Sequence, residues 1–537
     1  MPTNGTDLEA PEPGTGRSRP VRLNEPSGLR GANGIAFGPD GLLYVAQFLT
    51  GRISAVDIDS GEVELVVPPD GPLRTPDDIA FGADGTMYIA DVAPGRVWQR
   101  SPNGEFALVT DAVVAPNGIT CLGDRLFVNE MRSGGRLFEL FPDGGSPVLL
   151  TEGLAYGNAM RFGPDGRLYY PHMMTDEVLR ISPEGGEPEL VVSGVPIPVA
   201  VRFDRAGELF VLSCDAAGTI THVDPETGGT SSTVTGVPGL DNAAFDAANR
   251  MFVSSFVRGS ITELGERGRT RTVLPPGLNG PFGVTVDPAG RTYAADHFGL
   301  SSVSESDGID QVDVVGGTLP GLPRNVVATG DVLQLVDISG GLHAYDPVRG
   351  VSRGRAAGLG ELAGIAADSS GRVVLAAPER GQVLLVDETD SVTVLAEGLE
   401  HPVGVTLDHH GRCYVSDDRL GRVLRLDEEP VVVLDGLGTP QGIAVSGDEL
   451  FVVEVEHRRL RRFDPATGTS TVAFRELAVE TLPGASGTGS NGEPDGSGRP
   501  SSFVDLAVAG DGSLLLAANG EGSVQLLKID AEGTGEW

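Results

Sequence analysis

Short apolar runs recur along this chain at a regular spacing. Gly34-Ile35-Ala36-Phe37-Gly38-Pro39-Asp40-Gly41 leads into Leu42-Leu43-Tyr44-Val45-Ala46. A Gly-containing turn and a third run, Arg52-Ile53-Ser54-Ala55-Val56, follow, and then a more variable fourth, Val63-Glu64-Leu65-Val66-Val67. Apolar runs this short, bounded by Gly, Pro and Asp, predict strands rather than helices. The turn chemistry agrees, as in Gly163-Pro164-Asp165-Gly166: Pro presets φ, and Gly accepts the positive φ of a tight turn. No stretch sustains a helical period.

Aligned on the residue equivalent to Ile35, the chain contains twelve copies, anchored at Ile35, Ile79, Ile119, Met160, Val201, Ala243, Val284, Val326, Ile365, Val405, Ile443 and Leu506. Successive anchors lie 38 to 44 residues apart, with one interval of 63. Four short strands in about 40 residues describe a propeller blade. The predicted fold is therefore all-β, with twelve four-stranded blades. One ring usually holds about 4–8 blades, so two tandem six-bladed β-propellers are expected, with a single larger ring as the alternative.

The chain opens on an unassigned strand-like segment, Pro20-Val21-Arg22-Leu23, and the last copy stops after its third strand, near residues 523–529. A cut near Gly268 gives both halves that arrangement: residues 20–267, and residues 268–537 opening on Thr270-Arg271-Thr272-Val273-Leu274. Each ring is then expected to close by pairing its own first strand with its own last blade, which removes exposed sheet edges. Residues 1–19, rich in Gly, Pro, Thr and Glu, are expected to form a disordered arm, and residues 483–502 a mobile Gly/Ser/Pro loop. That loop contains Gly487-Thr488-Gly489-Ser490-Asn491-Gly492 but lacks the preceding strand and following helix that a dinucleotide site needs.

Composition narrows the function. Seventy-five Asp and Glu face 39 Lys and Arg, a formal charge of −36, which argues against nucleic-acid backbones and anionic membranes as partners. Lys528 is the single lysine. Cys121, Cys214 and Cys413 are odd in number and far apart, with no CxxC spacing, so a reducing, cytoplasmic setting is expected. No apolar run is long enough to span a membrane, and the N-terminus has no apolar signal core. No GxSxG, HExxH or P-loop occurs, and the eight histidines are scattered.

The residue preceding each innermost strand should lie at one mouth of a ring's central channel. Two residues before each anchor the first half carries Asn33, Asp77, Asn117, Asn158, Val199 and Asp241; the second carries Phe282, Arg324, Ala363, Val403, Gln441 and Val504. Five Asn or Asp around one mouth and none around the other suggest oxygen ligands for a hard divalent cation, above all Ca²⁺. The alternative is that these residues are turn formers bonding to nearby backbone. A second circle, at the end of each second strand, holds Gln47, Asp91, Glu130, His172, Ser213 and Ser255 in the first half. Acids recur there in both halves, which points to a structural role for most. His172, between Pro171 and Met173-Met174, and Glu130 are candidates for proton transfer beside a cation.

The repeat resembles the senescence marker protein (regucalcin)/gluconolactonase-like and NHL-repeat propellers over about residues 30–530. Ala115-Pro116-Asn117-Gly118 resembles the family's Pro-Asn-Gly ligand motif. Pro76-Asp77 resembles its Pro-Asp-Gly motif with Asp78 in place of Gly, and Leu240-Asp241-Asn242 resembles the Asp-Asn pair of paraoxonase-like sites. Asn33 stands where the family has a first-blade Glu. The resemblance implies a divalent cation at the matched positions Asp77, Asn117 and Asp241, and hydrolysis of a lactone or related ester; with the aligned Asn33 and Asn158 these form the expected ligand set, and Asp241 or His172 is expected to activate water. Two other functions stay open: a lyase or cyclase resembling the streptogramin lyases, and a non-catalytic NHL-like scaffold binding a small ligand or a protein partner.

Overall fold

A computed structural model describes residues 19–265, 269–314, 317–480 and 503–529. The expected arm at 1–19, apart from Arg19, and the expected loop at 483–502 lie outside these residues. Among the described residues, regular structure consists of twelve four-stranded antiparallel sheets and one short 3-10 turn, Pro378–Arg380. Every anchor lies in the innermost strand of its sheet, or, for Met160, immediately before it.

Burial explains the apolar pattern. The second strand of a blade is covered on both faces by neighbouring blades, so runs such as Leu514-Leu515-Leu516-Ala517-Ala518 are buried throughout. The fourth strand is the wet outer edge, and Thr230–Val234 is exposed along its whole length.

The innermost strand of blade 1, Ala32–Phe37, packs against those of blade 2, Pro76–Phe81, and blade 6, Leu240–Phe245. That of blade 7, Gly283–Val286, packs against those of blade 8, Pro323–Thr329, and blade 12, Leu506–Val508. Shared cores seal both closures: Ile35 and Leu43 meet Phe252 and Ile261, and Val284 and Ala294 meet Leu515 and Val524. The chain therefore forms two rings of six blades rather than one of twelve.

The edge strands correct the expected closure. Thr270–Leu274, expected to open the second ring, is the outermost strand of blade 6 and pairs with Ser260–Leu264. Val21–Arg22, expected in the first ring, pairs with Ser523–Leu527 as the outermost strand of blade 12. The boundary at 267/268 thus moves beyond Leu274, and residues 20–267 are not one closed unit. The physical reason is proximity in sequence: only five residues separate Ser260–Leu264 from Thr270–Leu274, so pairing them costs little loop-closure entropy. Blade 12 then lacks a fourth strand and takes Val21–Arg22, fixed further by the Arg22–Glu521 ion pair at 2.7 Å. The connection from Arg22 into blade 1 ties the rings together. Along it, Arg30 is buried and pairs with Glu480 at 2.7 Å, and the Gly31 N–H donates to Asn279 Oδ1 at 2.7 Å.

Candidate metal centre at the mouth of the first ring

Most innermost strands begin with a β-bulge. Pro76 pairs with Asp91 and Ile79 with Ile89, so Asp77 and Asp78 together oppose one residue of the second strand. The same shift occurs at Ala32/Ile35, Pro116/Ile119 and Leu240/Ala243. Pro often opens these strands, where its missing N–H costs no ladder bond. A bulge re-aims side chains, and here it gathers the residues two before the anchors. Asn33 Nδ2 donates to Asp77 Oδ1 at 2.8 Å, and Asn117 Nδ2 donates to Asp77 Oδ2 at 2.6 Å. Asn158 lies alongside, its Nδ2 3.2 Å from Met173 Sδ and its Oδ1 accepting from the Ala159 N–H at 2.7 Å.

Asp77 and Asp241 are buried and close enough to repel one another. Burial, reinforced by the charge of Asp78, pushes Asp77 up to about 7. Burial, then the charges of Asp77 and Asp78, raise Asp241 well above the usual carboxylate range. No described residue donates a hydrogen bond to the Asp241 carboxylate, and Asn117 Oδ1 is buried without a partner. Two carboxylates short of positive charge, beside an orphaned carboxamide oxygen, form a donor set that fits a hard cation. No group of three or more His, Cys, Asp or Glu among the described residues is arranged for a metal, so any such centre relies on amide oxygens.

The residues at the ends of the second strands behave differently. Glu130 is not free for proton transfer: Val114 N–H, Arg132 and Arg136 donate to its carboxylate at 2.7 to 3.1 Å. Burial works to raise its pKa, but these partners outweigh it and hold Glu130 below the usual range. Glu454 in the second ring has the same arrangement with Arg459, Arg461 and the Gly438 N–H, which marks a structural clamp. Asp91 likewise accepts from the Arg74 and Thr75 N–H groups. His172 is half-buried, its pKa lowered by burial, with Nδ1 4.0 Å from Glu177 and Nε2 buried without a partner. The described contacts bring Met173, not His172, onto the Asn/Asp collar.

One position nearer the anchor lies a network that the sequence reading missed. Asn242 Nδ2 donates to Asp78 Oδ1 at 3.0 Å, Asp78 Oδ2 accepts from the Ile119 N–H at 3.1 Å, and Arg202 donates to Asn242 Oδ1. The link from blade 6 to blade 2 passes over Gly34, where a Cβ would lie 2.5 Å from the Asp78 Cα. The second ring carries the same residue types with positions exchanged: Asn325 of blade 8 lies across Gly283 and donates to the Ala363 carbonyl, and Asp505 of blade 12 accepts from the Val284 N–H. A signal was present, since this position is Gly in six copies and Asp or Asn in just these four.

The second ring's mouth is apolar. Phe282, Ala363, Val403 and Phe503 pack as one cluster, with the Arg324 guanidinium 5.6 Å from the Phe282 ring centroid and 3.4 Å from Glu361. Its neighbour Phe298 reaches the first ring's mouth, meeting Phe256 edge-on at 4.6 Å and packing against Phe48, Leu49 and Val92. The collar thus lies beside an apolar wall to which both rings contribute.

No family model and no curated protein matches this chain. Among solved structures, virginiamycin B lyase from Staphylococcus aureus is similar at 17% identity and a TM-score of 0.38, covering 54% of this chain and 97% of that one. A gluconolactonase from Xanthomonas campestris is similar at 16% identity and a TM-score of 0.38, covering 44% and 86%. The extracellular domain of a hybrid two-component system from B. thetaiotaomicron is similar at 10% identity and a TM-score of 0.33, covering 96% and 83%. Likeness at this level assigns neither activity nor substrate.

Proposed function

We propose that the first ring is a divalent-cation-dependent hydrolase of a lactone or related ester, with Ca²⁺ the favoured ion. The observation that carries this reading is the pair of buried carboxylates, Asp77 and Asp241, of which Asp241 has no donor among the described residues, beside the partnerless Asn117 Oδ1. Asp77, Asp241, Asn117, Asn158 and Asn33 would hold the ion. A bound cation supplies Lewis-acid polarisation of a carbonyl and lowers the pKa of a bound water. Asn33 and Asn117 orient Asp77, leaving Asp241 as the carboxylate able to accept a proton from attacking water. His172, whose ring lies off the collar in the described contacts, is the alternative acceptor, its Nε2 having no partner and its pKa lowered by burial. The apolar wall of Phe48, Val92 and Phe298 excludes water and favours a substrate with a hydrophobic portion. Cys121, Cys214 and Cys413 are free thiols, in keeping with a cytoplasmic setting. No described helix is long and apolar enough to cross a membrane.

One observation favours a non-catalytic binding scaffold instead. Asn33 and Asn117 already donate to Asp77, so part of the collar is satisfied without an ion. Turnover of a lactone panel in ¹⁸O water with added Ca²⁺ separates the readings. Hydrolysis places one ¹⁸O in the product carboxylate, and Asp241→Asn is expected to lower kcat about 100-fold or more. An alkene product would indicate elimination; absence of turnover, or an Asp241→Asn rate equal to the parent's, would leave the scaffold reading.

A further inference from the structure

The innermost strands run from the collar toward the opposite end of the channel, and there the first ring encloses a second feature. A cavity of about 310 Å³ is lined by the later residues of these strands, with Arg161, Arg202 and Arg205 as its cationic groups and Asp204 as its one carboxylate. Its volume lies at the lower end of small-molecule sites, about 300–1,000 Å³. No collar residue lines it.

The inner edge of each blade presents unpaired backbone groups to the channel. Arg202 answers several of them: it donates to the Ala243 and Val201 carbonyls at 2.8 Å, the Met160 carbonyl at 3.3 Å and the Asn242 carboxamide oxygen. Four of its five N–H donors are thereby used, and the guanidinium forms a floor between the collar network and the cavity. Its charge meets no carboxylate within ion-pair distance, since Asp78 acts on it only at longer range. Arg161 occupies the aligned position on the preceding blade, is exposed, and makes no hydrogen bond or ion pair with a described residue. Arg161 and Arg202 thus face one cavity in a chain with 75 acids, neither neutralised by direct contact, while the third guanidinium, Arg205, donates to the Asp246 carbonyl at 3.0 Å.

The rim adds an apolar element. Two residues after the anchors the first ring carries Phe37, Phe81, Phe162, Phe203 and Phe245, all half-buried, with Cys121 as the sixth. Four of these phenylalanines line the cavity. The second ring has only Val, Ala and Leu at the same positions.

We propose that this cavity binds a small organic carboxylate, its anionic head at Arg161 and the remaining Arg202 donor and its apolar body against the phenylalanine rim. The site is independent of the cation-binding reading of the collar. Bidentate, charge-assisted bonds are the strongest available to a carboxylate, and the guanidinium plane matches its geometry. Titration calorimetry of the full-length protein at low ionic strength tests the assignment, with benzoate as the probe and benzamide and inorganic phosphate in parallel. Benzoate is expected to bind, benzamide to bind about tenfold more weakly or not at all, and Arg161→Ala to weaken benzoate about tenfold or more. Arg161→Lys should restore part of the affinity, and the exposed second-ring variant Arg349→Ala should leave it unchanged. Arg161 has no partner to lose, so the variant keeps the fold. Failure of benzoate to bind at millimolar concentration, equal binding of benzamide, preference for phosphate, or full affinity in Arg161→Ala would each overturn the proposal.

Discussion

Asp77 and Asp78 are adjacent carboxylates with different work, and the bulge that separates them explains why. Asp77 meets the two carboxamides of the collar, whereas Asp78 joins blade 2 to blade 6 through Asn242 and Arg202. The collar residues were legible in the sequence because an Asn/Asp excess in one half needs only alignment to be seen. The deeper network left a positional trace, Asp or Asn where six copies have Gly, but its pairing was not legible, because Asn242 and Arg202 lie far along the chain from Asp78 and join it only when the ring closes. Gly34 belongs to that closure. Gly34→Ala is expected to destabilise the first ring by about 1–3 kcal/mol through overpacking, read from urea unfolding. Asp505 offers a pH test in the second ring. Burial raises it to about 7, against an ordinary 3.8 when unfolded. The stability it contributes is therefore complete below about pH 4 and lost as pH rises through 7. Asp505→Asn does not titrate, so the parent should lose more unfolding free energy between pH 4 and pH 8 than the variant. Equal losses would place the titration elsewhere.

At the level of elements, strand number and order follow from turn chemistry and apolar runs, and all twelve anchors lie on or beside innermost strands. Strand partnership at the ring edges was the part not readable. An edge strand is held mainly by backbone bonds, which carry no side-chain code, and Val21–Arg22 pairs over only two residues. The exchanged closure makes a distinct prediction for hydrogen exchange. Deleting residues 1–24 should strip amide protection from Ser523–Leu527 in blade 12 and spare Ser260–Leu264 in blade 6. Loss of protection in blade 6 instead would contradict the pairing.

At the scale of the whole molecule, twelve copies of one unit have become two rings with different interiors. The first keeps a polar collar at one end of its channel and an arginine-bearing cavity at the other; the second closes its mouth with Phe282, Ala363, Val403 and Phe503. The difference between the mouths was visible as Asn/Asp against apolar positions. The cavity was not, because Arg161 and Arg202 become neighbours only through the stacking of blades 4 and 5. The contact of Phe298 with the first mouth was equally hidden, since it depends on how the two rings meet.

The most direct measurement is the content and affinity of Ca²⁺ in the purified full-length protein, by elemental analysis and calorimetry, beside Asn117→Ala and Asp241→Ala. The account predicts one ion per chain, with affinity reduced about tenfold or more in each variant as an oxygen ligand is withdrawn. No bound ion, two ions per chain, or one ion held unchanged by both variants would contradict it.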